Sequence, residues 1–233
     1  MKIGFIGVGN MAKAIIAGLV AAKVVKSEDI VIHSAHPTNY QNFSKIMNLT
    51  AVDSNIEVTQ KADIIFLAVK PDQIGSVEEE ISPGLTSEKV VVSMAAGLDL
   101  TNLAKKLAPG QAIIRILPNI NVENLVGMTA FAANDQTSTQ QAKSVQELLE
   151  KIGQVIELPE NEFTTFSAIA GSGPAFVYLF IDALSRAGVK HGIKKSDATM
   201  IAAQTVLGSA QNLLKSEKTP WDLIDQVASP GGT

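Results

Sequence analysis

Residues 3–8 are apolar at nearly every position, broken only by Gly4 and Gly7. From 11 to 22 the apolar residues respace to a helical period. Short apolar runs recur at 30–32, 63–69, 89–93, 112–117, 127–132 and 154–158, with helical stretches between them. The clearest of these stretches are 99–107 and 137–152. Continuous apolar strands alternating with helices predict a doubly wound, mostly parallel sheet, that is, an α/β domain of Rossmann type.

The pattern changes after Pro159, where no further strand run appears. Residues 163–187, 195–215 and 221–228 read as helices, with Gly188 and Gly192 at the first junction and Pro220 near the start of the last helix. The expected division is therefore 1–159 for the sheet domain and 160–233 for an all-helical domain. These last helices carry Ala, Leu, Ile and Val on more than one face, as a unit does when it buries surface against another subunit. Residues 163–181 hold no charge and are long enough to span a bilayer. Gly171-Ser172-Gly173-Pro174 interrupts them and Asp182 and Arg186 follow at once, so a buried or interface helix is expected instead.

Composition narrows the function. A chain of 233 residues with 46% hydrophobic and 18% charged residues builds a packed core. Net charge is −4 with no basic stripe, which sets nucleic acid aside. There is no cysteine and there are 3 scattered histidines, so neither a thiol nucleophile nor ligand spacing for a metal is present, and a cytoplasmic location is expected. Gly7, Gly9 and Asn10 break the first apolar run too early for a signal peptide, so no membrane partner is expected.

The chemistry starts at Gly7-Val8-Gly9-Asn10-Met11-Ala12, a G-x-G-x-x-A at a strand-to-helix turn. Such a turn brings the main chain against a pyrophosphate and aims a helix N-terminus at it. Ile6 ends the strand before it. The second strand leads into His33-Ser34-Ala35-His36-Pro37 with no carboxylate. Ser34 and His36 offer hydrogen-bond donors to a 2′-phosphate, so NADPH is the expected cofactor, with NADH the alternative. Ala68-Val69-Lys70-Pro71, Ala95-Ala96-Gly97 and Asn119 follow the next strands, where an open parallel sheet binds ligands.

Taken with Met94 and Pro118, with Ala170-Gly171-Ser172-Gly173-Pro174-Ala175 and with the closing Ser229-Pro230-Gly231-Gly232-Thr233, these residues resemble the pyrroline-5-carboxylate reductase family along the whole chain. The resemblance implies an N-terminal NADP-binding domain and a C-terminal helical dimerisation domain. It implies reduction of 1-pyrroline-5-carboxylate to L-proline, the last step of proline synthesis. It implies a homodimer with interlocked helices, in many members built into a larger ring. It also implies that Asn55 lies near the adenosine end of the cofactor. The family motif Gly-Gly-x-Thr continues into a further helix, whereas Thr233 here fills the x position, so the sequence looks truncated.

A protonated imine is already electrophilic, so the protein's task is positioning. Amides at Gly231, Gly232 and Thr233 are expected to hold the substrate carboxylate. Ser172, Gly173 and Pro174 are expected to line the ring, with Thr233 and Ser172 the catalytic candidates. Two alternatives stand beside this reading. One is an NADP reductase of another cyclic imine or of a hydroxyacid; the lack of lysine in 169–181 argues against the hydroxyacid alone. The other is a non-catalytic dinucleotide-binding protein.

Overall fold

A computed structural model describes residues 1–229 of the chain. Eight strands form one sheet in the order β3-β2-β1-β4-β5-β6-β7-β8. They are β1 (Ile3–Ile6), β2 (Ile30–His33), β3 (Thr50–Ala51), β4 (Ile64–Leu67), β5 (Val90–Ser93), β6 (Ala112–Pro118), β7 (Gly127–Ala133) and β8 (Gly153–Glu157). The first six pair in parallel. β7 runs antiparallel to β6, and β8 pairs in parallel with β7. The expected α/β class holds. The seven-strand expectation missed β3, whose two residues are too few to show a period.

Helices α1 (Asn10–Ala21), α2 (Pro37–Met47), α3 (Asn55–Lys61), α4 (Pro71–Ile81), α5 (Leu100–Leu103) and α6 (Thr139–Glu150) connect the strands. β1, β4 and β5 are buried at every position, as strands covered on both faces must be. One face packs Phe5, Ile15, Phe66 and Ile114 in a single cluster. The other packs Ile65, Val77, Val91 and Ile113. Phe5 and Phe66 are register partners on neighbouring strands, and their rings stack 4.7 Å apart.

The helix expected over 99–107 shrinks to α5. Asp99 caps it by accepting the Asn102 N–H at 2.7 Å, but the segment that follows, Ala104 to Leu107, turns instead of continuing. The helix expected over 163–187 is also interrupted. α7 (Phe163–Phe166) passes into one wider turn at Ser167–Gly171, where the Ser172 N–H donates to the Ser167 carbonyl at 3.0 Å, before α8 (Gly173–Lys190) begins.

Contacts divide the chain into Met1–Ser172 and the residues from Gly173 on. Residues 160–172 thus pack with the sheet: Phe163 and Phe166 bury themselves against Ala130 and Ala132 of β7. In the second unit α8 packs on α9 (Lys195–Leu214), and α10 (Pro220–Val227) follows. Gly188 lies inside α8, so Gly192 alone, in the left-handed region at φ 94°, marks the junction. Ser185 is buried there between the Thr199 hydroxyl at 2.8 Å and the Lys195 Nζ at 3.1 Å. Arg186 and Asp182 form the surface ion pair their i, i+4 spacing suggests, and Lys195 joins it; hydrogen bonds from Arg186 and then Lys195 hold the Asp182 carboxyl below its usual range. α10 opens on a capping box between Thr219 and Asp222, with Pro220 in the first turn.

Candidate dinucleotide and imine site

Parallel pairing places the carboxyl ends of β1, β2, β4, β5 and β6 on one rim of the sheet. Five of the segments named from sequence leave that rim. Gly7 donates its N–H to the His33 carbonyl at 2.9 Å and adopts φ 92°. A Cβ there would stand 2.6 Å from the Ala68 carbonyl oxygen, so only glycine lets these two loops approach. The ends of β1, β2 and β4 therefore meet at one place.

α1 opens immediately beyond. Its N-cap is Gly9, with no side-chain cap and no acidic residue in the first turn. The amides at this end are thus available to an anion and carry the positive end of the helix dipole. A Cβ on Gly9 would meet nothing within 4 Å among the described residues, so the main chain there is open to close approach. Ala12 is buried and lets the helix sit down on the sheet. Asn10 is exposed and Met11 half-buried. This arrangement fits the pyrophosphate of a dinucleotide.

At the end of β2, His33 is spoken for. Its Nδ1 lies 3.0 Å from the Val52 carbonyl, which makes Nδ1 the protonated nitrogen, and its ring meets Tyr40 edge-on. Ser34 is half-buried. His36 is exposed at the N-cap of α2, whose first turn has Pro37 and no acidic residue. Asn55 opens α3, and its carboxamide donates to the Glu80 carboxylate at 2.8 Å, between α3 and α4. Lys70 is the exposed N-cap of α4, with Pro71 in its first turn; Ala68 and Val69 are half-buried. Ala95 is buried while Ala96 and Gly97 are exposed at the end of β5.

β6 carries the second half of the arrangement. Residues 115, 117 and 119 share one face of the chain by strand alternation. Arg115 pairs with Glu160 at 2.9 Å and lies over the Phe163 ring at 4.4 Å. Leu117 packs against the cluster of Phe163 and Phe166. Asn119, buried just past the strand, accepts the Met128 N–H at 3.1 Å and donates to the Ala170 carbonyl at 3.1 Å. Four strand steps cover about 13 Å and ten helical steps about 15 Å, so residues 160–170 climb alongside β6. They deliver Gly171 and Ser172 to the rim. Pro174 explains the last tether. It has no N–H for the carbonyl four residues earlier, which is Ala170, and Asn119 supplies the missing donor.

Ser172 is exposed as the last residue of the first unit. Gly173 and Pro174 open α8 in the second unit and are half-buried. Gly231, Gly232 and Thr233 lie outside the described residues. Sequence reading missed Arg115 and Glu160. The available signal was a lone arginine inside the otherwise apolar run 112–117, which needs a buried partner.

Comparison with known proteins gives concordant matches. A family model described as pyrroline-5-carboxylate reductase dimerisation matches residues 160–233, and one described as NADP oxidoreductase coenzyme F420-dependent matches residues 2–97. Pyrroline-5-carboxylate reductase of Escherichia coli (strain K12) is 38% identical over 232 residues, covering 100% of this chain and 86% of the relative. Among solved structures, pyrroline carboxylate reductase of Plasmodium falciparum with NADP bound superposes with a TM-score of 0.89 at 32% identity, over 100% of this chain and 86% of that one. The Streptococcus pyogenes 1-pyrroline-5-carboxylate reductase gives 0.88 at 38% identity, over 100% and 87%.

Proposed function

Because the chain belongs to the pyrroline-5-carboxylate reductase family, we propose that it reduces 1-pyrroline-5-carboxylate to L-proline with NADPH, the last step of proline synthesis. The observation that carries this reading is the hold of Asn119 on the Ala170 carbonyl, which seats Gly171-Ser172 on the same rim as the open turn at Gly7–Gly9.

In this reading the amides at the start of α1 receive the pyrophosphate, with Ile6, Gly7, Gly9, Asn10 and Met11 around it. Ser34 and His36 donate to the 2′-phosphate, at a strand end with no carboxylate to repel it. Asn55 belongs to the adenosine side. Val69, Lys70, Pro71, Ala95, Ala96, Gly97 and Asn119 border the remaining length of the site. Bound NADPH supplies the hydride. Ser172, Gly173 and Pro174 border the imine ring, and the main chain at Gly231, Gly232 and Thr233 takes the carboxylate. The imine nitrogen arrives protonated and keeps its proton as the ring carbon is reduced, so the protein need supply only position.

By role, residues 1–159 form the NADP-binding domain and 160–233 the dimerisation and substrate domain of a homodimer, which can build a larger ring. α8 exposes Phe176, Val177, Tyr178, Leu179 and Phe180 in succession, surface that a partner subunit would cover. By length and composition Glu160–Lys190 is able to cross a bilayer, but its first part packs on β7, and we assign the exposed face of α8 to the subunit interface and the protein to the cytoplasm.

The test is the fall in NADPH absorbance on adding 1-pyrroline-5-carboxylate, with proline measured by chromatography and NADH run in parallel. Equimolar NADPH loss and proline gain are expected, with a lower KM for NADPH than for NADH. Absence of NADPH loss rejects the reductase, and NADPH loss without proline rejects the substrate.

A further inference from the structure

Arg115 sits on a strand whose neighbours Ile113, Ile114 and Ile116 are buried and apolar, and it is itself only 9% exposed. Stability alone does not call for an ion pair there, since apolar replacements of buried pairs are often neutral or stabilising. The acceptor has a second task. One oxygen of Glu160 accepts both the Arg115 Nη1 and the main-chain N–H of Leu100, each at 2.9 Å. Leu100 is the first residue of α5 and stands three positions beyond Gly97, whose φ of 81° ends the loop after β5. Glu160 is also where the climb along β6 toward Ser172 begins. One carboxylate therefore fixes the loop bordering the dinucleotide, the strand, and the segment that carries the imine motif.

We propose that the Arg115–Glu160 pair is a positioning device for hydride transfer. It sets the separation between the loop after β5 and Ser172, while Asn119 holds the upper end of the same segment. The guanidinium suits the task, because Nη1 pairs with Glu160 while the group lies over the Phe163 ring, two contacts that together limit its movement. Neither residue touches a reactant. The proposal rests on the reductase reading above.

The experiment uses the double variant Arg115→Met with Glu160→Gln. It removes both charges together and leaves an acceptor for the Leu100 N–H. NADPH affinity by fluorescence titration should stay within about twofold and thermal stability should be retained. By contrast kcat should fall by about ten- to a hundredfold, with a larger isotope effect when the transferred hydride is deuterium. Arg115→Lys keeps the charge without the fork or the stack and should fall between the two. If the double variant turns over within about twofold of the unsubstituted protein, or loses rate only in proportion to folded protein, the pair is structural and the proposal is overturned. If the unsubstituted protein does not reduce 1-pyrroline-5-carboxylate at all, the reductase reading and this proposal fall together.

Discussion

Gly7 and Gly9 stand two residues apart and answer to different demands. Gly7 is required by the protein's own backbone, through its φ of 92° and the Ala68 oxygen 2.6 Å from where a Cβ would be. Gly7→Ala should lower stability by about 1–3 kcal/mol, seen in urea unfolding. A Cβ at Gly9 would meet nothing within 4 Å among the described residues. Gly9→Ala should leave unfolding within about 0.5 kcal/mol of the unsubstituted protein, yet raise the Kd for NADPH by about tenfold or more, because the methyl group occupies the approach of the pyrophosphate. Equal losses of stability in the two variants would contradict this assignment. Glu78 answers to neither demand. It is buried on α4, its Oε1 has no hydrogen-bond partner among the described residues, and desolvation pushes its pKa from 4.5 up to about 7. The folded carboxyl therefore keeps its proton up to about pH 7, while the unfolded one loses it near 4.5. Stability should fall by up to about 3 kcal/mol as pH rises between those values and should not fall further above them on this account. Glu78→Leu should shrink the difference between unfolding measured near about pH 5 and about pH 8. An unchanged difference would show that the carboxyl is relieved some other way. The glycines were legible because a tight turn writes its backbone needs into local sequence. Arg115 and Glu160 are 45 residues apart, and no local pattern announces a pairing made by the packing of one segment on another.

Elements were legible in proportion to how continuous their burial is. β1, β4 and β5 are buried throughout and read as unbroken apolar runs. β3 is an edge pair of residues, half-buried and exposed, and left no trace. α5 keeps only the start of its helical spacing: the Glu160 and Asp99 carboxylates satisfy its first amides, and the chain turns from Ala104 on before it enters β6. The wider turn at Ser167–Gly171 was hidden for another reason: the glycines and Pro174 advertise an interruption but not its register. Asn119 decides that register from β6. Asn119→Ala should orphan both the Met128 N–H and the Ala170 carbonyl, for a loss of about 2–4 kcal/mol in chemical unfolding. Asn119→Asp keeps the acceptor for Met128 but sets a carboxylate against the Ala170 oxygen. It should fold better than the alanine variant and still lose kcat. Recovery of full kcat in the aspartate variant would mean the Ala170 tether is irrelevant to turnover.

At the scale of the whole molecule, the exposed aromatic and aliphatic run on α8 matters most. Placing charge there, as in Leu179→Asp with Phe180→Glu, should convert the assembly to monomers by sedimentation, and catalytic rate should be lost with it. Persistence of the dimer would move the interface elsewhere. The sheet also separates work from upkeep. The loops proposed to border the dinucleotide leave by the carboxyl ends of the parallel strands. The turns at the other end, such as 108–110 and 135–136, are exposed and make no contribution to that rim. Within the sheet unit these turns are therefore where a peptide tag or an attachment point should leave NADPH binding at the opposite rim unchanged.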